Sequence, residues 1–403
     1  MSAWIHHSFR PGVIGCLSLL LAACSGAPAA QPTAVAPTSP PKPAVVASPG
    51  AAGSPGAVAA SSPAASPQAA AAPTRPDPAL AAVWQGKTVT MSVGQPPGGG
   101  HDTWARLVAR HLGKHLPGAP TVIVQNVPGA VSVVATNQIF QSAGDGLNIG
   151  EVSPDIPTFQ LQAGDEREAI RYDATKLNWL GSAGSTTYVL LVHSRTGIRS
   201  GADLATKSVR MGDQSPGGVG HRINLMLREG LGWQTGRPAF GYTGTREIVL
   251  GIDRGEVDGV FLPWDSALQQ KGDDIRSGAM IPLVMVGPAL KDPLLANVPA
   301  ARDLMATRDA DMRQILALTE RPLEWFRPFI VSPNTPPNIL AGMRAALTMT
   351  MSDPELLRDA EQLKFEIDHI PGERLQQMIG EYMQTPKVLV ERVETMVKSE
   401  TPS

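Results

Sequence analysis

The chain has 403 residues, with 34 lysines and arginines against 36 aspartates and glutamates, and a formal net charge of −2. This balance, with basic residues spread along the chain, gives no electrostatic footprint for nucleic acid, so we expect no nucleic-acid partner. The folded part, roughly residues 83–398, is too long for one ordinary core and has about the length of two α/β lobes.

The first predicted element is a targeting segment. Arg10 precedes an apolar stretch over residues 13–23, which is shorter than the ~20 residues of a membrane helix but suits a secretory signal. The stretch ends in Leu-Ala-Ala-Cys, which resembles the lipobox of bacterial lipoproteins. We therefore expect residues 1–23 to be removed and Cys24 to carry a lipid anchor. An ordinary signal peptide with a chance cysteine is the alternative. The other cysteine, Cys16, would be lost with the signal, which leaves no disulfide.

Residues 24–82 are predicted to be a disordered tether. They are mostly Ala, Pro, Ser and Gly, and up to residue 79 the only charged side chains are Lys42, Arg75 and Asp77. Such a composition buries too little apolar surface to offset the entropy of ordering the chain. The prolines favour extended conformations, so the tether would hold the folded part away from the membrane.

Strand and helix patterns then alternate. Short apolar or β-branched runs bounded by turn residues predict strands at KTVTMSVG, TVIVQNV, LNIGEV, TYVLLVHS, VRMGD, PAFGY, DGVFLP and MIPLVMVG. Apolar residues at helical spacing predict helices over residues 103–116, 221–230 and 245–254. Residues 338–397 are predicted to be largely helical, with boundaries at Pro354, Pro371 and Pro386. Strand, helix and strand with short connectors predict parallel pairing.

The stretch VGQPPGGGHD, residues 93–102, leads from the first predicted strand into a helix. This stretch has three possible interpretations: a phosphate-binding loop, a nucleophile turn and a cradle for a small anion. A P-loop needs a lysine and a hydroxyl after its last glycine, but His101 and Asp102 follow here. A dinucleotide-binding fingerprint lacks its glycine spacing. A nucleophile elbow is equally unsupported, because Gly212 stands one residue too far from Ser215.

The anion cradle fits best. Glycines leave backbone N–H groups accessible, and the first turn of a helix has unpaired donors and a partial positive charge. Asp102 is expected to cap this helix. A second Gly-rich loop, DQSPGGVGH, also precedes a helix, so the two helix starts predict a clamp on one anion. His111 and His115 have a spacing that suits zinc but lack an intervening glutamate, so we expect no metal and no cofactor.

Six motifs in order resemble the substrate-binding receptors of tripartite tricarboxylate transporters, also called Bug receptors: QPPGGGHDTWARLVARHL, VQNVPGA, AGDGLNIGEVS, DQSPGGVGH, FGYTGTREIVLGIDRGEVDGVF and WFRPFIVSPNTPPNIL. The resemblance covers nearly all of residues 85–395. It implies an α/β, type 2 periplasmic binding protein fold with a ligand cleft between two α/β lobes. The expected limits are 83–190 and 283–335 for lobe 1, 191–282 for lobe 2, and 336–403 for C-terminal helices packing on the lobes.

The resemblance also implies a function without chemistry: capture of a small organic carboxylate by lobe closure and its delivery to a tripartite tricarboxylate-type permease. By position, the implied ligand contacts are Gly98, Gly99, Gly100 and Asp102 in the first lobe, and Ser215, Gly218, Gly220 and His221 in the second. Arg246 is either a contact for a second acidic group or a solvated surface residue, and Asp265 stands near the expected hinge. We expect a monomer held outside the cytoplasm by its lipid anchor.

Two other functions stay open on the residues alone. A secreted serine hydrolase would use Ser215 as its nucleophile with His221 nearby. A sensory subunit would present its ligand-bound form to a membrane kinase. Backbone amides hold a carboxylate whatever is attached to it, so the sequence does not name the ligand.

Overall fold

The computed structural model of the protein describes residues 75–163, 168–308 and 310–400. The predicted signal, the lipidation site at Cys24 and nearly all of the predicted tether lie outside these residues. In the described part, no helix has both the length and the apolar character needed to cross a bilayer.

The strands form two sheets. Their bounds are β1 Thr88–Val93, β2 Thr121–Asn126, β3 Asn148–Glu151, β4 Asn178–Ser182, β5 Tyr188–His193, β6 Gly259–Pro263, β7 Met280–Val286, β8 Phe329–Val331 and β9 Ile370–Pro371. The first sheet has the order β2-β1-β3-β8-β4-β9 and the second has the order β6-β5-β7. In the first sheet β1 runs parallel to β2 and β3, whereas β8 is antiparallel to β3 and β4.

Helices pack around both sheets. Their bounds are α1 Ala81–Trp84, α2 Gly100–Leu112, α3 Val133–Phe140, α4 Ile156–Gln162, α5 Val219–Leu231, α6 Thr245–Asp253, α7 Trp264–Arg276, α8 Ala301–Leu304, α9 Ala310–Glu320, α10 Pro337–Met351, α11 Pro354–Gln362, α12 Gly372–Tyr382 and α13 Lys387–Lys398. Short 3₁₀ helices lie at Pro78–Leu80, Gly113–His115, Ser194–Thr196, Gly201–Ala205, Pro293–Leu295 and Arg321–Trp325.

Most predicted elements are confirmed. The segments VRMGD and PAFGY are the exceptions, because they contribute only isolated bridges through Met211, Gly212 and Ala239. The sequence pattern misses β4, since NWLGS has neither alternation nor a β-branched run. Parallel pairing is confirmed for β1, β2 and β3 but is wrong for the second sheet, where β5 is antiparallel to both neighbours.

The C-terminal helices begin where their prolines predict. Pro354 is the first residue of α11, and Pro371 and Pro386 immediately precede α12 and α13. Proline suits these places because the first turn of a helix has no intrahelical acceptor for its N–H groups. Helices α10 and α12 pack on β4, α11 packs on α2, and α13 packs on α4 and α5.

Each sheet has its own core, and the two cores place the lobe limits differently from the predicted ones. β7 pairs with β5 along its whole length, and its buried residues share a core with Met305, Leu316 and Leu323. Residues 283–323 therefore belong with the second sheet and not with lobe 1. The second sheet also begins at Tyr188, before the predicted limit of 191.

Two adjacent chain segments connect the two sheets: residues 183–187, between β4 and β5, and residues 324–328, which lead into β8. They run antiparallel and side by side. The Phe326 N–H donates to the Gly184 carbonyl at 2.6 Å, and the Ala183 N–H donates to the Phe326 carbonyl at 3.2 Å. A pair of adjacent crossing segments is the arrangement about which two lobes bend in hinge closure.

Candidate functional site

A cleft between the two sheets contains two adjoining cavities. The larger, of about 160 Å³, is lined by the loop after β1, by the start of α2 and, from the other lobe, by the start of α6. The smaller, of about 50 Å³, continues towards the start of α5. The two share Gln95, Gly100, His101, Gln214 and Thr245, so they form one continuous cleft.

The glycine run builds the first-lobe wall of this cleft. Gly98 has a φ of +82°, which favours glycine, and Gly99 is the extended residue that precedes α2. The N–H groups of Gly99, Gly100 and His101 have no acceptor among the described residues, and all three residues line the larger cavity. The helix start therefore presents unpaired donors and its partial positive charge to the cavity, as the sequence predicts.

Asp102 shapes this loop from behind. Its carboxylate is 4% exposed, accepts the Gly98 N–H at 2.9 Å and the Asn126 amide at 2.9 Å, and pairs with Arg106 at 2.8 Å. Although desolvation opposes them, these hydrogen bonds hold the pKa of Asp102 below its ordinary value. Asp102 lies in the first turn of α2 and lines neither cavity of the cleft. The structure gives it the role of a loop organiser instead of a ligand contact.

The start of α6 faces the start of α2 across the larger cavity. Thr245 and Arg246 begin this helix, and their N–H groups have no acceptor in the described part of the chain. The Arg246 side chain packs against the glycine loop, since a Cβ added at Gly98 would stand 2.5 Å from its Nη1. This guanidinium forms no hydrogen bond or ion pair within the described residues. Sequence reasoning identified Arg246 but missed the α6 start, although Gly-Thr before an apolar helix indicates one.

The start of α5, predicted as the second anion site, already holds protein carboxylates. Asp155 accepts the Val219 N–H at 3.2 Å and pairs with Arg222 at 2.5 Å. Asp213 lies over Gly220, because a Cβ added there would stand 2.5 Å from its Oδ2. The predicted clamp of α2 and α5 on one anion is therefore corrected. The two helix starts with free donors on the larger cavity belong to α2 and α6.

Only some of the other predicted second-lobe contacts lie in the cleft. Gly218 and Gly220 line the smaller cavity, whereas Ser215 and His221 line neither. His221 is fully buried, accepts the Gly217 N–H at 2.9 Å and faces Glu400 at 3.2 Å. Burial lowers its pKa. Both ring nitrogens of His221 have partners other than Ser215.

Asp265 lies beside the hinge and not in the cleft. It forms an ion pair with Arg327, whose guanidinium carbon lies 4.6 Å from the centre of the Phe326 ring. The next residue, Ser266, does line the smaller cavity. Asp265 thus contacts the connecting segment 324–328, as expected of a residue near the hinge, and lines neither cavity of the cleft.

His101 is a cleft residue that sequence reasoning did not assign. It lines both cavities, and its Nδ1 lies 2.7 Å from the Oε1 of Glu151. Glu151 ends the buried strand β3 and is itself fully buried, with no partner for its Oε2 in the described structure. Desolvation raises the pKa of Glu151. A polar residue that ends a buried strand, and a histidine that follows a glycine run, are the signals that indicate this pair.

The two histidines with zinc spacing lie outside the cleft. His111 contacts Asp359 at 3.0 Å and His115 contacts Asp353 at 2.7 Å, both across the packing of α2 on α11. His111, Asp353 and Glu355 lie close enough together to share an ion. However, the Lys114 ammonium pairs with both carboxylates, at 2.7 and 2.6 Å. A cation of the protein itself therefore already contacts the acidic members of this group.

Comparisons with known proteins agree with this architecture. No family model matches the chain. BugT of Bordetella pertussis is 40% identical over 72 residues, so the match spans 18% of this chain and 22% of BugT. The solved structure of the periplasmic binding protein BugD superimposes with a TM-score of 0.61 at 19% identity, over 79% of this chain and 98% of BugD. MatC from Rhodopseudomonas palustris, with bound malate, superimposes with a TM-score of 0.56 at 18% identity, over 77% of this chain and 99% of MatC.

The chain has a periplasmic binding protein fold. The predicted periplasmic binding protein fold is confirmed by the superposition, and the predicted resemblance to Bug receptors is matched in sequence by BugT over 72 residues. In this periplasmic binding protein fold the cleft described above lies at the hinge side of both sheets, since Tyr188 and Pro263 at the hinge ends of β5 and β6 line it. The boundary between the lobes and the candidate binding site therefore coincide.

Proposed function

We propose that the protein is an extracytoplasmic solute receptor that captures a small organic carboxylate by lobe closure and performs no chemistry on it. One observation carries this proposal: the N–H groups at the starts of α2 and α6 and the Arg246 guanidinium, which have no partners among the described residues, lie on one cavity. Helix starts bind anions through such donors and through their partial positive charge. Arg246 adds a full charge that can form a bidentate pair with a carboxylate.

The hinge and the contacts across the cleft support capture by closure. A Cβ added at Gly244 would stand 2.7 Å from Pro96 Cγ, and one added at Gly100 would collide with the Ser266 hydroxyl at the start of α7. Loops from the two lobes therefore already touch over the cavity, so a ligand enters when the lobes separate and is enclosed when they return. Malate, the ligand of the similarly folded MatC, is a small carboxylate of the proposed class.

The proposal is tested by titrating the full chain with a panel of small carboxylates while its thermal unfolding is recorded. A true ligand at a hundred times its Kd stabilises the folded state by ~2.7 kcal/mol, which raises the Tm by several degrees. Arg246→Gln is expected to weaken the binding of that ligand about tenfold, because one charge-assisted contact is lost. Arg254→Gln is the matched control, since Arg254 lies at the far end of α6 and pairs with Glu256. Equal losses in both variants would contradict the proposal.

We also propose that the receptor is anchored outside the cytoplasm through a lipid on Cys24 and passes its ligand to a tripartite tricarboxylate-type permease. The lipobox-like Leu-Ala-Ala-Cys supports the anchor, and the resemblance to Bug receptors supports the permease. A Cys24→Ser variant is expected to be exported but to leave the membrane fraction, because acyl chains supply the attachment. Fractionation followed by immunoblotting measures this. Retention of the variant at the wild-type level in the membrane would show that another segment is the anchor.

A further inference from the structure

The cleft has a charged group at each end, and the two groups have opposite signs. At the α2 and α6 end lie Arg246 and N–H donors that have no acceptor among the described residues; Glu247 also lines this cavity, with its carboxylate accepting the Thr243 N–H and hydroxyl. At the α5 end, Asp155 and Asp213 line the smaller cavity. A molecule that spans the cleft therefore meets donors at one end and acceptors at the other.

The two carboxylates at the α5 end differ in how far the protein neutralises them. Asp155 is paired with Arg222 at 2.5 Å, and both side chains are 2% exposed, so its charge is balanced within the protein. Asp213 is only half-buried and is held by backbone donors alone, including the Gln214 N–H at 2.7 Å. Within the described residues it forms no ion pair. Glu247, at the α6 end of the cleft, likewise forms no ion pair in this part of the chain, but its carboxylate already accepts two hydrogen bonds from the protein. Asp213 is thus the carboxylate at the α5 end that lacks a cationic partner.

We propose that Asp213 determines specificity: the ligand is an amino-carboxylate whose carboxylate binds at α2, α6 and Arg246 and whose protonated amine binds Asp213. This inference rests on the proposed function and narrows its ligand class. A dicarboxylate of the same length places its second carboxylate against Asp213, where like charges repel in a partly desolvated site. An ammonium group there supplies the counter-charge that the protein does not.

Titration of Asp213 gives the proposal a second, independent readout. The pKa of Asp213 is raised to about 7, chiefly by desolvation and also by Asp155, whereas the backbone donors and Arg222 oppose the shift. Tyr188 and His101 are the other titratable groups on the same cavity. Below its pKa Asp213 is neutral and tolerates a second carboxylate, whereas above its pKa it is ionised and repels one. Preference for the amine should therefore strengthen as the pH rises from about 6 to about 8.

The experiment is calorimetric titration of the full-length protein with two straight-chain series of three to six carbons, ω-amino carboxylates and α,ω-dicarboxylates. At about pH 8 the best amino-carboxylate is expected to bind at least ~10-fold more tightly than the dicarboxylate of equal length. Asp213→Asn should reduce that ratio ~10-fold or more and abolish its change with pH. Asp273→Asn, which removes a charge from an exposed residue at the end of α7, should keep the wild-type ratio.

Each outcome of these titrations supports or contradicts the role of Asp213 or the proposed function. A dicarboxylate preferred by the wild type at about pH 8, or a ratio that Asp213→Asn leaves unchanged, overturns the role of Asp213 while leaving a carboxylate receptor intact. Binding of neither series, with no stabilisation by any carboxylate of the wider panel, contradicts the proposed function itself. If Asp213→Asn does not fold, the pH dependence of the wild-type ratio still tests the inference, because a constant ratio contradicts it.

Discussion

Gly99→Val is expected to weaken ligand binding by about a hundredfold while the protein still folds. The backbone at Gly99, with φ −88° and ψ 175°, suits valine, and an added Cβ would meet only Thr245 Oγ1 at 3.7 Å and Pro96 O at 3.9 Å. The new Cβ therefore fits without collision, and the valine methyl groups are expected to cover the N–H groups of α2 that face the cavity. Loss of about two charge-assisted hydrogen bonds accounts for the magnitude.

Calorimetric titration and thermal unfolding together measure this effect. The melting temperature should fall by no more than about 4 °C, because valine is a poorer helix cap than glycine. Gly380→Val is the matched control, since an added Cβ at Gly380 meets nothing within 4 Å and the residue lies in α12, away from the cleft. Wild-type affinity in a normally folded Gly99→Val variant would falsify the anion cradle. Gly98 and Gly100 make poorer tests, because strain at φ +82° and collision with Ser266 confound them.

Arg222→Met is expected to lower the free energy of unfolding by about 3–5 kcal/mol. Removing the guanidinium leaves the carboxylate of Asp155 buried without its counter-charge, and the penalty for an uncompensated buried charge exceeds the worth of the pair itself. The Gly217 carbonyl also loses the hydrogen bond it accepts from Arg222. Equilibrium unfolding in urea, monitored by tryptophan fluorescence, measures the change.

Arg254→Met provides the comparison for that measurement. Arg254 pairs with Glu256 on the same lobe, but their side chains are 53% and 46% exposed, so this loss should cost at most about 1 kcal/mol. Adding Asp155→Leu to Arg222→Met should recover part of the stability, because the orphaned charge is then removed. Similar losses from Arg222→Met and Arg254→Met would show that the buried pair is not a special determinant of stability.

The parts of the site that the sequence predicts correctly are those encoded locally. The α2 start follows from a glycine run beside an apolar helical stripe, and Gly98, Gly99, Gly100 and the first turn all lie within a few residues of one another. The fold follows similarly from strands and helices whose patterns are complete within short windows, and from six motifs in order. Such features depend on neighbours in the chain, so a single sequence contains enough information to place them.

The parts that the sequence does not predict depend on distant residues. The α5 start looks like an anion site until Asp155, 64 residues before Val219, is found to occupy it. His221 looks like a ligand contact until Glu400, 179 residues away, is found beside its Nε2. The predicted lobe limits are wrong for the same reason, because β7 joins the second sheet only by pairing with β5, which is distant in the chain. Pairings at such separations leave no periodic signal in one sequence.

The order of strands in the first sheet has a consequence for how the chain matures during synthesis. β8 lies between β3 and β4, yet it is made after the whole of the second sheet. The strands of the second sheet lie in one uninterrupted stretch of chain, and this sheet can be completed once the chain up to Val286 has emerged. The first sheet remains split into two halves until Phe329–Val331 arrives to join them. The lobe that begins first is thus necessarily the lobe whose sheet closes last.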